Sequence, residues 1–241
     1  MAGLPVTSVV VAMVAEAVGA CLQGGLGFGI NLVVAPLLEL VDPRFLPAPL
    51  ILAGLVSSAL VAARERGATD RRGVAWAMAG AVPGTALGVV VVLVAPVGAL
   101  RLVIAAVVIA AVVVSLTGRR LARTVGCLVG AGAASGVMGT VAGLAGAPMG
   151  LVYQDEPGPV VRATLARYTV AGAALSAVAL AAAGRLGPAQ VGLAGVLVPG
   201  VVVGFLVSAP LRPLLDRGGL RPAILALVGL ASLGVVAQTL A

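Results

Sequence analysis

Two clusters of glycine with polar neighbours are where this 241-residue sequence can do chemistry. The first reads Gln23-Gly24-Gly25-Leu26-Gly27-Phe28-Gly29-Ile30-Asn31, with Pro36 following. The second runs from Ser135-Gly136 through Gly139, Thr140, Gly143 and Gly146 to Pro148. Glycine costs about 1 kcal/mol relative to alanine inside a helix, so clusters this dense predict interrupted helices. An interruption exposes backbone N–H groups where the second half-helix starts, and the aligned peptide dipoles there attract anions without a buried cation. The half-helices are expected to begin after Gly29, running to Leu40, and after Gly146. Gln23, Asn31, Ser135 and Thr140 are placed to add side-chain hydrogen bonds. The chemistry implied is reversible binding of a small oxygen-rich anion. Its candidate residues are Gln23, Gly24, Gly25, Gly27, Phe28, Gly29 and Asn31 in the first cluster. In the second they are Ser135, Gly139, Thr140, Gly143, Gly146 and Pro148.

Two charged residues join them. Arg162 follows the second cluster and can grip an oxyanion bidentately, although snorkelling to the interface is its other reading. Glu16 lies roughly 16 Å along a helix starting near Val6, which places it near mid-membrane. An intramembrane acid is a candidate carrier of a coupled proton; a structural acid facing an arginine or a polar crevice is the alternative.

What is missing narrows the chemistry further. The chain has no His and no Lys, so all fifteen basic residues are arginines. Histidine acid–base work, Schiff-base chemistry and a Walker-type phosphate loop are thereby excluded. Cys21 and Cys127 are far apart, each in an apolar stretch, and form no zinc or iron–sulfur motif. No metal and no cofactor is expected. Asp155 and Glu156 sit in a Pro/Gly loop and read as solvated charge, while Trp76, Tyr153 and Tyr168 read as interface residues.

The elements that must position these residues are membrane helices. Hydrophobic residues make up 61% and charged ones 10%, with a mean hydropathy of +1.20. Soluble domains carry about 25% charged residues. The fold class expected is an all-α polytopic membrane protein. Its net charge of +7 is read as topology information and not as a nucleic-acid face. Apolar runs fall at Val6–Leu40, Leu46–Ala63, Val74–Ala95 and Leu100–Leu116, then at Thr124–Val152, Val160–Ala183, Ala189–Leu211 and Leu220–Leu240. One long segment followed by three single spans therefore occurs twice. Val82-Pro83-Gly84 with Gly88 recurs as Val198-Pro199-Gly200 with Gly204, and Gly98-Ala99-Leu100-Arg101 as Gly218-Gly219-Leu220-Arg221. The expected organisation is a first repeat over 1–118 and a second over 119–241 within one membrane domain. Each repeat is a glycine-broken re-entrant or split helix pair plus three transmembrane helices.

Charge tests that topology. If all eight segments crossed once, the arginines would divide eight to seven. If each glycine-broken segment enters and leaves on one side, twelve fall inside and only Arg44, Arg101 and Arg185 outside, as the positive-inside rule expects. The repeats are then inverted, the cytoplasmic (inner) membrane holds a multi-pass protein, and both termini lie outside. In inverted-repeat transporters the substrate site lies at the midplane where broken helices meet.

The stretch Leu22-Gln23-Gly24-Gly25-Leu26-Gly27-Phe28-Gly29 with Pro36-Leu37-Leu38 resembles the first signature of the sulfite exporter TauE/SafE family of membrane permeases. The second cluster, ending in Ala147-Pro148, resembles that family's repeated signature, and Arg162-Ala163-Thr164-Leu165 resembles the pattern after it. The similarity spans about Val10 to Ala237. It implies a permease moving sulfite, sulfoacetate or a related small sulfur-containing anion. Ala145-Gly146-Ala147 departs from the more glycine-rich run common in the family. The partners expected are that anion and the lipid bilayer; a homo-oligomer stays open, as does the direction of transport. A membrane assembly scaffold without transport is the alternative, and an enzyme is disfavoured because the interior offers only Glu16.

Overall fold

The computed structural model describes residues 4–26, 30–65, 67, 69–96, 99, 102, 103, 106 and 121–215. Gly27, Phe28 and Gly29, nearly all of the 100–116 segment and the 220–240 segment lie outside the described residues. The helices are α1 (Val6–Leu26), α2 (Ile30–Val41), α3 (Ala48–Arg64), α4 (Arg71–Val94), α5 (Val125–Ala142), α6 (Ala147–Val152), α7 (Gly158–Ala182) and α8 (Pro188–Leu215). A 3-10 turn, Pro43–Phe45, joins α2 to α3, and no strand occurs among the described residues. Five helices, α1, α4, α5, α7 and α8, are long and apolar enough to cross a bilayer. The seventeen-residue α3 is apolar but shorter.

The distribution of side chains is that of a multi-pass membrane protein. Val6, Val10, Val14 and Val18 stand exposed at four-residue spacing along α1, and Val202, Val203 and Leu206 are exposed on α8. Inside are Glu16, Gln23, Ser57, Ser58, Thr85, Ser135, Thr140 and Ser176. Water would penalise such an outer surface by about 25 cal/mol for each Å² of apolar area, whereas lipid does not.

The helix ends follow the sequence. Asp70 caps α4 by accepting from the Gly73 N–H at 2.8 Å, and Thr124 caps α5 by accepting from Cys127 at 3.2 Å. Pro148 stands in the first turn of α6, where a missing N–H costs nothing, so it orients the half-helix and donates to no ligand.

The main packing surfaces join the two halves of the chain. α1 lies along α8, α4 lies along α5, and α3 and α7 meet between these pairs. Glycine permits the close approach. Gly84 of α4 sits on the Ala133 carbonyl, and Gly200 of α8 sits on the Met13 carbonyl. One turn later, a Cβ on Gly88 would come within 2.8 Å of the Thr140 Cβ, and one on Gly204 within 2.9 Å of the Ala20 Cβ. Gly200 stands 116 residues after Gly84, while Ala133 and Thr140 stand 120 after Met13 and Ala20. The same pair of contacts is thus made twice.

The glycine clusters break the backbone over a shorter stretch than their composition predicts. Gly24 and Gly25 lie within α1, and Gly136 and Gly139 within α5. Gly136 is packed against the backbone of α4 at Ala81, so close helix packing accounts for it. The second interruption is confined to Gly143–Gly146. Gly143 has φ 74°, the left-handed conformation that ends a helix, and its N–H donates to the Gly139 carbonyl at 2.9 Å.

Both ends of this second broken segment reach Asp70. Arg123, just before α5, pairs with it at 3.5 Å, and the Tyr153 hydroxyl, just after α6, donates to it at 2.8 Å. Six residues of α6 span roughly 9 Å, far less than a hydrocarbon core of about 30 Å, so α6 by itself is too short to cross. α2 is also short of a full crossing, at roughly 18 Å for its twelve residues, and leads back to the start of α3.

Candidate anion site where the broken segments meet

α3 is the platform on which the candidate residues gather. Along its buried face stand Leu50, Gly54, Ser57, Ser58 and Val61, followed at the end of the helix by Arg64. Gly54 to Arg64 covers about 15 Å of helix.

At the Gly54 level the two broken segments touch. The Asn31 amide, one residue into α2, donates through Nδ2 to the Gly143 carbonyl at 2.6 Å. Asn31 is 6% exposed, and its Oδ1 has no hydrogen-bond partner among the described residues. A Cβ on Gly143 would lie 3.1 Å from Asn31 Nδ2 and 3.4 Å from Leu50, and one on Gly54 would lie 3.2 Å from the same nitrogen. Absent side chains on both glycines therefore make room for this contact.

One turn further along α3, Gln23 is held at both ends of its amide. Nε2 donates to Ser58 Oγ at 2.8 Å, and Oε1 accepts from Ser57 Oγ at 3.0 Å. These bonds remove the cost of burying an amide in an apolar bundle. At the end of α3, Arg64 Nη2 donates to the Gly24 carbonyl at 2.5 Å and Nη1 to Ser208 Oγ at 2.9 Å, with its guanidinium over the Phe205 ring. Arg162, from the first turns of α7, donates to the Gly25 carbonyl at 3.3 Å. Gly24 and Gly25 therefore meet positive charge through their carbonyls, at the negative end of the α1 dipole. Both glycines are helical.

Glu65 completes the cluster. Its Oε1 lies 3.7 Å from Arg64 Nε and 3.7 Å from Arg162 Nε. Arg167 fixes the loop behind it, donating to the Glu65 carbonyl at 3.1 Å and to the Thr69 hydroxyl.

A profile of the sulfite exporter TauE/SafE family matches residues 11–235, which takes in every element of this arrangement. The chain belongs to that family. It is accordingly a membrane transporter of the permease type and not an enzyme. Neither a search of curated proteins nor one of solved structures returned a match.

The other candidates of this TauE/SafE protein lie away from the contact between the broken segments. Thr140 Oγ1 donates to the Gly136 carbonyl at 2.8 Å and shares a hydrogen bond of 2.9 Å with Ser176, tying α5 to α7. Ser135 is buried beside the Tyr168 hydroxyl. Gly146 caps the start of α6, accepting from the Gly150 N–H at 2.9 Å. Glu16 is fully buried, and neither carboxyl oxygen has a hydrogen-bond partner among the described residues. It lies on α1 seven residues before Gln23, so roughly 10 Å below it on the same face. Among the described residues no group of His, Cys, Asp or Glu could hold a metal ion.

Sequence reading passed over Ser57, Ser58 and Glu65, and counted Arg64 only toward topology. The available signal was two adjacent serines in the middle of an apolar helix that ends in Arg-Glu. Asp70, at the mouth of the second segment, is also better connected than its sequence suggests. Burial pushes its carboxyl up, but the Gly73 N–H, the Tyr153 hydroxyl and Arg123 outweigh that and hold it below the usual range. Tyr153 is raised by burial and by its bond to Asp70.

Proposed function

We propose that this permease carries a small sulfur-containing oxyanion, such as sulfite or sulfoacetate, across the cytoplasmic membrane. The observation that carries the reading is the bond between Asn31 and Gly143, which brings together two interrupted segments 112 residues apart. Irregular backbone at membrane depth is tolerated where protein or a watery cavity surrounds it, and such meetings of half-helices are where ions and substrates bind. The anion passes along the polar side of α3, between Arg64 and Arg162 at one end and Asn31 at the start of α2 at the other. The guanidinia draw it out of water, and the Asn31 amide with the N-terminal turn of α2 holds it at depth.

In this reading the halves over 1–118 and 119–241 are inverted repeats that rock against each other. The left-handed residue Gly143 is the joint. The arginine-rich end faces the cytoplasm, and both termini lie outside. Glu16 carries a coupled proton along the face of α1 that also holds Gln23.

The test is flux in proteoliposomes, comparing sulfite, sulfoacetate, taurine and sulfate with and without an imposed pH gradient. Saturable flux of one sulfur oxyanion, lost on Asn31→Leu in a protein that still inserts and folds, is the expected result. Unchanged flux in that variant would sink the site. Gradient-driven flux that persists in Glu16→Gln would remove the proton from the mechanism. A C-terminal reporter signalling from the cytoplasm would overturn the topology.

A further inference from the structure

Asn31 offers more than the bond it makes to Gly143. A carbonyl only accepts, so the Gly143 oxygen fixes which way the amide points: Nδ2 faces it at 2.6 Å. That leaves Oδ1, an acceptor, buried and without a hydrogen-bond partner among the described residues. The groups packed around the amide have no donor to give it. Gly54 and Gly143 lack side chains, and Leu50 is apolar. The Gly143 N–H is spent on the Gly139 carbonyl and the Leu144 N–H on that of Met138. Gly54 lies inside α3, where the helix ladder takes its N–H. A buried acceptor without a donor is costly, and at a transport site it calls for one from outside the chain.

The place of that atom in the fold says what else the donor must carry. Asn31 stands in the first turn of α2, and helical side chains lean toward the N-terminus of their helix. The first N–H groups of a helix lack intrahelical partners, and the dipole is positive there, so an anion is attracted. An acceptor and an anion-binding helix end therefore lie side by side. A fully deprotonated oxyanion suits only the helix end and turns lone pairs toward Oδ1. An anion that bears an O–H suits both. We propose that Asn31 Oδ1 selects a sulfur oxyanion with its own hydroxyl, either hydrogen sulfite or a hydroxyalkanesulfonate, over the sulfite dianion and sulfoacetate. The hydroxyl donates to Oδ1 while the sulfur-bound oxygens accept from the N–H groups of α2. This inference rests on the permease reading and narrows its substrate.

The experiment compares flux of 2-hydroxyethanesulfonate and ethanesulfonate through the full-length protein in proteoliposomes, with equal pH on both sides. The two anions have the same charge and differ by one hydroxyl. The parent is expected to carry the hydroxyl form about fivefold faster, the effect of one hydrogen bond. In Asn31→Ala the ratio should fall to about one, with the loss borne by the hydroxyl form. A merely structural role for Asn31 would lower both anions alike. For sulfite, raising the pH of both sides together through neutrality strips the proton from hydrogen sulfite. Flux per total sulfite should then fall more steeply in the parent than in Asn31→Ala, and this series decides alone if sulfite is the one anion carried. A parent that carries ethanesulfonate as fast as its hydroxyl analogue, or sulfite no slower as pH rises, overturns the selection and leaves the permease reading standing. A ratio that survives in Asn31→Ala also overturns it, by assigning the preference to another residue. If no sulfur oxyanion moves through the folded parent, the permease reading falls and takes the inference with it.

Discussion

The two segments that meet at Asn31 and Gly143 are lined differently. Around the first, α1 ends at a pair of guanidinia, Gln23 is tied to two serines, and the following half-helix has twelve residues. Around the second, the turn is flanked by buried Val141, Ala142, Leu144 and Ala145, and the half-helix has six residues. What the second segment offers the first is a backbone carbonyl, Gly143 O. On the reading proposed above, labour is divided: the first segment recognises charge and the second supplies shape and movement.

That division can be broken most forcefully at Arg162. Arg162→Leu strips the Gly25 carbonyl and Glu65 of a nearly buried guanidinium, and such losses cost about 3 kcal/mol. Anion flux should fall by about a hundredfold, and a fall of under threefold would remove charge recognition from the first segment. Next in size is Gly143→Ala. At φ 74° a Cβ costs roughly 1–2 kcal/mol, and here it also crowds Asn31. The variant should melt several degrees lower and transport poorly, whereas an unchanged melting point would show that the joint tolerates any residue.

Asn31→Ala removes one hydrogen bond between the segments, worth about 1 kcal/mol, and should reduce flux roughly fivefold with little loss of fold. Thr140→Val is the control on the second segment. It loses the bond to Ser176 but touches no charge, so flux should stay within about twofold while stability drops by roughly 1 kcal/mol.

The smallest effect belongs to Asp70, where acid should loosen the second segment. Its carboxyl is lower in the folded protein than in the unfolded one, so its contribution is present above the ordinary carboxylate range and is lost as pH falls through the folded value. The melting point of Asp70→Asn should therefore lie below that of the parent near neutral pH and converge with it in acid. A gap that persisted at low pH would point to a cause other than ionisation.

Much of the scaffold was legible in the sequence because lipid-facing and protein-facing residues differ in kind. The start of α6 at Ala147 falls where the second expected half-helix begins. The extent of the breaks was not legible, since glycine serves equally to interrupt a helix and to let one approach another. Gly136 and Gly143 look alike in sequence, yet one packs on α4 and the other turns the chain. The partnership of Arg64, Glu65 and Arg162 was also invisible. Local hydropathy places each near a helix end, but only the meeting of α3 with α7 sets them side by side. Ser57 and Ser58 were masked for the same reason, because their role depends on a glutamine 34 and 35 residues earlier.

The pairing of α1 with α8 bears on how the protein is made. α1 leaves the ribosome well before α8, the helix that covers its Met13, Ala17 and Ala20 side and starts only at Pro188. At about 5–20 residues per second, synthesis of the intervening chain takes on the order of ten to thirty seconds. Throughout that interval nascent α1 sits in the membrane without α8, its main neighbour. Quality control that samples unassembled helices therefore has a long opportunity at α1, and truncation after α7 should leave α1 readily extracted and degraded.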